Sequence, residues 1–293
     1  MQNLTGVIVA TVTPIKEGHV HKDGFVQLVD FLTEKRVQAI FVCGTTGEGM
    51  IMSLESRKRA AEIVRERSKI PVIVHAGTNV AEDTEHLASH ANQIGAEAIA
   101  VITPMFYPYT NEGLGDYFQT IARHCDIPLF IYSNPGRAGT KMTPEGIAKA
   151  ASASMGRIVG VKESSGDMGY LGKIIQTNPE LTIFNGADNC FLPGLVLGTT
   201  GQVSGYATLT PELYVSLFDC WKNRKIEEAM KLQQKISKIK ALLEVPYIQP
   251  IKEGLKMRGI DAGDVIAPLV RMKQEEISKL EEKLSEFAPE LFQ

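Results

Sequence analysis

The chain has 293 residues and a formal net charge of −3, with 44% hydrophobic and 22% charged residues. This is ordinary globular composition at a length that suits one large barrel of alternating strands and helices. The slightly acidic balance, with no basic run, argues against a nucleic-acid partner. No apolar run approaches the roughly 20 residues that span a membrane. Met1 to Val12 lacks the charged start and long apolar core of a leader, so a cytoplasmic protein with no membrane partner is expected.

The first apolar run, Gly6 to Val12, is closed by Thr13-Pro14. Asp23 to Lys35 has helical spacing, with Phe25, Leu28, Val29 and Leu32 on one face. Ala39 to Val42 is a second strand, followed by Gly44-Thr45-Thr46-Gly47-Glu48 and a charged helix that Ser53 can cap. Pro71 to Ala76 and Ala98 to Ile102 are the third and fourth strands, with helices through His86 to Ile94 and from about Asn111 to His124. Pro128 to Tyr132 is the fifth, and Thr143-Pro144-Glu145 opens the next helix. Ile158 to Lys162 is the sixth, Leu181 to Asn185 the seventh, and Gly201 to Ser204 the eighth, with helices near Cys190 to Leu197 and from Pro211 to about Asn223.

Eight strand–helix units alternate without a hairpin, and their strands are apolar on both faces. That predicts a parallel sheet, closed as an α/β (β/α)8 TIM barrel over residues 1–224. Residues 225–293 read as an appendix of C-terminal helices: Ile226 to Leu243, Ile251 to Arg258 and Lys273 to Phe287, with Pro246 and Pro250 marking a break after the first. Cys43, Cys125, Cys190 and Cys220 have no CxxC spacing and read as buried free thiols.

In such a barrel the chemistry gathers where the strands end. Thr45 and Thr46 follow strand two, Met105, Phe106 and Tyr107 strand four, and Tyr132 and Arg137 strand five. Lys162 ends strand six, Gly186 and Asp188 follow strand seven, and Ser204 ends strand eight. Taken alone, the octapeptide Gly160 to Asp167 fits a lysine that snorkels to solvent. A desolvated lysine amine can instead attack a carbonyl. The loop from Gly44 to Gly47 is equally a tight turn or a nest for a carboxylate. Tyr132 is a core aromatic or a proton carrier, and Arg137 a solvated charge or a clamp for a carboxylate. His75 reads as a satisfied core histidine. No HxH, HExxH or carboxylate cluster suggests a metal.

With these residues placed, the chain resembles the dihydrodipicolinate synthase / N-acetylneuraminate lyase family of class I, pyruvate-dependent aldolases. Gly44-Thr45-Thr46-Gly47-Glu48 resembles its GTTGE loop, Tyr132 to Gly139 its Y-x-x-P-x-R-x-G segment, and Gly160 to Asp167 its lysine strand. The resemblance implies that Lys162 forms a Schiff base with pyruvate, so that neither a metal nor an organic cofactor is required. It implies that Tyr132 carries protons, that Thr45 and Thr46 in the loop opened by Gly44 hold the pyruvate carboxylate, and that Gly186, Val203 and Ser204 line the pocket.

Arg137 points within the family to a synthase that condenses pyruvate with aspartate semialdehyde. Two departures point elsewhere. Met105-Phe106 replace the usual tyrosine pair, leaving Tyr107 one place on as the candidate relay residue, and Ser133 replaces an asparagine. A 2-keto-3-deoxy-sugar-acid aldolase or a neuraminate-lyase-like aldolase is the alternative. A homotetramer built as a dimer of dimers is implied as well. Insensitivity to lysine is expected, since Leu54, Arg57 and Met105 stand where regulated synthases place an allosteric cleft. The rivals from other classes are a phosphosugar isomerase using Gly198-Thr199-Thr200-Gly201 and a non-catalytic pyruvate-binding barrel.

Overall fold

The computed structural model describes residues 4–244 and 248–292. Eight strands close into a barrel: β1 (Gly6–Ala10), β2 (Ala39–Val42), β3 (Val72–His75), β4 (Ala98–Ile102), β5 (Leu129–Ser133), β6 (Ile158–Glu163), β7 (Thr182–Asn185) and β8 (Gly201–Ser204). Each pairs in parallel with its neighbours, and β1 closes the ring onto both β2 and β8. The helices between them are α1 (Lys22–Glu34), α2 (Leu54–Arg67), α3 (Ala81–Gln93), α4 (Asn111–Arg123), α5 (Pro144–Ala153), α6 (Met168–Thr177) and α7 (Phe191–Leu197), with α8 (Pro211–Lys222) after β8. Among the described residues, no helix is long and apolar enough to cross a membrane.

The alternation of strand side chains splits the core into two layers. Ile8, Phe41, Ile73, Ile102, Phe130, Tyr132, Phe184 and Val203 fill the barrel. Val7, Val9, Ile40, Val42, Val74, Ile99, Ile131 and Val161 face outward and pack with the helices. Helix starts are set by side chains: Ser53, Thr110 and Thr143 accept from the backbone N–H three residues on, and Pro144 fills a first-turn position where no N–H is needed.

One element departs from the expected hairpin-free alternation. Ile15–Lys16 and His19–Val20 form a short antiparallel ribbon between β1 and α1. Its two-residue loop, Glu17-Gly18, has φ of 52° and 80°, the positive pair that a type I′ turn demands.

The β5–β6 ladder decides where the lysine strand points. Leu129 pairs with Ile158, but Phe130 pairs with Gly160, so Val159 is an extra residue in β6. A one-residue slip turns every later side chain to the other face. Ile158 packs with the outer layer, and after the bulge Lys162 faces inward opposite Tyr132. Gly160 allows this close approach, because a Cβ there would sit 2.6 Å from the Phe130 ring.

The tail forms α9 (Ile226–Leu243), α10 (Gln249–Met257) and α11 (Gln274–Phe287), and a last turn at Pro289–Phe292. Ile236, Leu243, Leu255, Leu280 and Leu284 join the same outer core as the barrel helices. Pro250 opens α10 instead of breaking a helix, since its fixed φ and missing N–H suit a first turn. Pro246, expected at the same break, lies outside the described residues. An ion pair buried on both sides, Lys252 Nζ to Glu48 Oε1 at 2.6 Å, ties α10 to the loop after β2. Lys252 also donates to the Thr13 carbonyl, and Glu48 accepts from the Ile266 N–H.

All four cysteines are free. Cys43 and Cys125 are buried as expected, whereas Cys190 and Cys220 are only half-buried.

Candidate active site

The C-terminal ends of the strands surround a cavity of ≈ 440 Å³. Thr45, Thr46, Tyr132, Arg137, Lys162, Gly186 and Val203, all singled out from the sequence, line it together. Lys162 is 6% exposed, and its Nζ lies 4.1 Å from the centroid of the Tyr132 ring and 4.5 Å from that of Phe41. The amine is therefore desolvated against two aromatic faces on the barrel axis, not snorkelling.

The Tyr132 oxygen is 3.2 Å from Thr45 Oγ1 and accepts from Asn134 Nδ2 at 3.0 Å. Burial pushes the phenol up, but the charge of Lys162 and the hydrogen bonds of Thr45 and Asn134 outweigh it, so Tyr132 titrates below its ordinary range. His75, the last residue of β3, sets its ring edge-on to Tyr132 and stacks on Phe41. Burial, then the charges of Arg57 and Lys162, hold its imidazole well below the usual range, so it is a neutral wall.

The loop after the lysine is fixed from outside the barrel. Glu163, next to Lys162 but facing the helix layer, accepts from the Ser165 N–H at 2.8 Å. Burial raises its carboxyl. Asp188, at the cavity edge, accepts from the Ser204 and Tyr214 hydroxyls and is likewise raised by burial.

Three residues from the expected set stand elsewhere. Ser204 is fully buried and is committed to Asp188 and the Ala207 N–H behind the cavity wall. Gly44 lies under the loop against Phe41, where a Cβ would come within 2.6 Å of the ring, so its role is the turn. Tyr107 is 65% exposed, stacked edge-on with Phe106, which is 86% exposed, and it does not line this chain's cavity. Arg137 sits on the exposed rim. Asn134, Ser164, Ser165 and Lys240 of α9 were not foreseen as lining. The strand period could have found Asn134, two residues beyond Tyr132. Nothing local marks Lys240.

A smaller cavity of ≈ 190 Å³, mostly apolar, shares Thr45 and Arg137 and is lined also by Met50, Ile51, Ile102 and Met105. Arg57 is buried and donates to the Gly77 and His75 carbonyls, while Leu54 is half-buried. The segment Gly198 to Gly201 precedes β8 and so lies at the barrel end opposite the cavity. The Thr200 N–H there bonds the Ile183 carbonyl, which removes the structural basis of a phosphate site at this mouth. Among the described residues, no three His, Cys, Asp or Glu side chains converge as a metal-binding set.

Comparison with known proteins agrees with this geometry. The family model described as the dihydrodipicolinate synthetase family matches residues 3–287. A 4-hydroxy-tetrahydrodipicolinate synthase of Archaeoglobus fulgidus is 34% identical over 285 residues, covering 95% of this chain and 96% of that protein. Among solved structures, dihydrodipicolinate synthase from Aquifex aeolicus superposes with a TM-score of 0.92 at 29% identity, covering 98% of this chain and 99% of the other. A prophage protein of the same family from E. coli K12, solved in complex with pyruvate, gives 0.92 at 26% identity, again covering 98% and 99%. An amine and a phenol on adjacent strands of a (β/α)8 barrel, together with a family match over nearly the whole length, place this chain in the dihydrodipicolinate synthetase family of carbon–carbon lyases.

Proposed function

We propose that the chain condenses pyruvate with aspartate semialdehyde through a Schiff base on Lys162, as a 4-hydroxy-tetrahydrodipicolinate synthase. The observation that carries the reading is the desolvated Lys162 amine set against Tyr132, whose oxygen touches Thr45. The amine adds to the pyruvate carbonyl, and the resulting hydroxyl leaves as water with a proton from Tyr132. The iminium then draws electrons from the methyl C–H bond, Tyr132 takes that proton back, and the enamine carbon attacks the aldehyde. Thr45 and Thr46 hold the pyruvate carboxylate, and Arg137 on the rim meets the carboxylate of the acceptor.

The same reading carries a homotetramer. Phe106 and Tyr107 project from the surface, so a relay role for Tyr107 belongs in a neighbouring subunit's site. A sugar-acid aldolase is the second reading. Ser164, Ser165 and Asn189 on the outer lining favour it, since they suit a hydroxylated acceptor.

The deciding experiment compares kcat/KM for pyruvate with aspartate semialdehyde against pyruvate with glyceraldehyde. The first is expected to be larger, with Arg137→Ala narrowing the gap about tenfold through loss of a charge-assisted contact. A larger value for glyceraldehyde, or an Arg137→Ala variant that changes neither, would establish the sugar-acid reading instead.

A further inference from the structure

The strand period that turns Tyr132 into the barrel turns Asn134 the same way. Asn134 lines the cavity, and its amide donates to the Tyr132 oxygen at 3.0 Å. Thr45 Oγ1 reaches the same oxygen from the loop after β2. A phenol oxygen has one proton to give and two lone pairs. With Asn134 donating into one lone pair, the phenol proton and the second lone pair are left for Thr45, which can accept or donate. The backbone of Asn134 is also held in place. The Asn134 main-chain carbonyl accepts from the Arg137 and Ala138 N–H groups, and Pro135 fixes the next φ. The turn that carries Arg137 thus fixes the backbone from which the Asn134 side chain reaches Tyr132.

We propose that Asn134 is a positioning residue for Tyr132: it aims the phenol proton and stabilises the phenolate that exists between the two proton transfers. This rests on the Schiff-base reading above. In the second transfer the methyl C–H bond of the iminium breaks and its proton passes to the Tyr132 oxygen. The C–H electrons form the new carbon–carbon double bond, and the C=N pair settles on the Lys162 nitrogen. The phenolate must persist until that moment, and an N–H donor binds an anionic oxygen more strongly than a neutral one.

The other groups around Tyr132 are accounted for. Lys162 faces it from β6, and neutral His75 and Phe41 from β3 and β2. Arg137, Asp188 and Lys240 lie around the same cavity. Of these, Lys162 supplies positive charge and a hydrogen bond to the phenol, and Asn134 adds a donor that neither gains nor loses a proton itself.

The test uses Asn134→Leu, of similar size without a donor, and Asn134→Asp, which exchanges the donor for an anionic acceptor. The first readout is exchange of the pyruvate methyl hydrogens in D2O against pH, which needs no aldehyde. The second is ultraviolet titration of tyrosinate, with Tyr132→Phe subtracted to isolate one phenol. Both the exchange limb and the Tyr132 titration should move up by about one pH unit in Asn134→Leu, a roughly tenfold loss of exchange below the limb, and further in Asn134→Asp. KM for pyruvate should hold. An unmoved titration, or exchange reduced by one factor at every pH, would overturn the proposal. If the wild-type chain exchanges no methyl hydrogen and takes no borohydride label on Lys162, the Schiff-base reading fails; the tyrosinate titration still decides the link between Asn134 and Tyr132.

Discussion

Lys162 and Tyr132 are register partners on neighbouring strands, and the amine of one lies 4.1 Å from the ring centroid of the other. The pairing depends on the extra residue at Val159. Without it, Lys162 would follow Ile158 to the outer face, among the helices, where a charge has neither substrate nor water. Fold and chemistry thus meet at one bulge.

Tyr132→Phe should lower turnover by about 10²- to 10⁴-fold, the usual contribution of a positioned proton carrier. The fold should survive, because the ring keeps its place against Phe41 and His75. Steady-state kinetics and a thermal melt check both halves. Turnover within a few-fold of wild type would show that another group moves the proton.

Much of this was legible in the sequence, for physical reasons. Strands buried on both faces appear as continuous apolar runs, so the eight units and their parallel order could be read directly. Tyr132 and Lys162 end their runs and Thr45 follows its own, and a barrel brings run-ends together. The bulge was not legible, since Val159 looks like any other strand residue. Nor was Ser204's commitment to Asp188, because face assignment needs the register of β8. The Glu17-Gly18 hairpin is too short to show a period. Lys240 and Lys252 come from the tail, far in sequence from the other cavity residues and from Glu48.

The Lys252–Glu48 pair anchors the tail to the loop that carries Thr45 and Thr46. Burial presses the Lys252 ammonium down, and Glu48 opposes this. Lys252→Met strands a buried carboxylate and should cost about 3–5 kcal/mol. Adding Glu48→Gln removes the stranded charge and should recover part of that loss. Urea unfolding of both variants checks this, and a double variant no more stable than the single one would contradict it.

His75 gives a pH dependence of defined sign. In the unfolded chain its imidazole titrates near 6.5, whereas burial, Arg57 and Lys162 hold it well below that in the fold. Below about pH 6.5 the unfolded state therefore binds a proton that the folded state refuses, and stability falls as pH falls, by up to about 1.4 kcal/mol per unit. Asp188 and Glu163, raised by burial, act oppositely: their contribution is present at low pH and is lost as pH rises through their folded values. The histidine term is isolated by difference. Between about pH 6.5 and 5, urea-derived stability should fall less steeply in His75→Phe than in wild type. Equal slopes would mean that His75 is protonated within the fold.

The account stands or falls on the covalent role of Lys162. Incubation with pyruvate and borohydride, followed by peptide mass spectrometry, should find a reduced pyruvyl adduct on Lys162, with none on Lys162→Ala and no catalytic turnover in that variant. A label on another lysine, no label at all, or near-normal turnover by Lys162→Ala would contradict it.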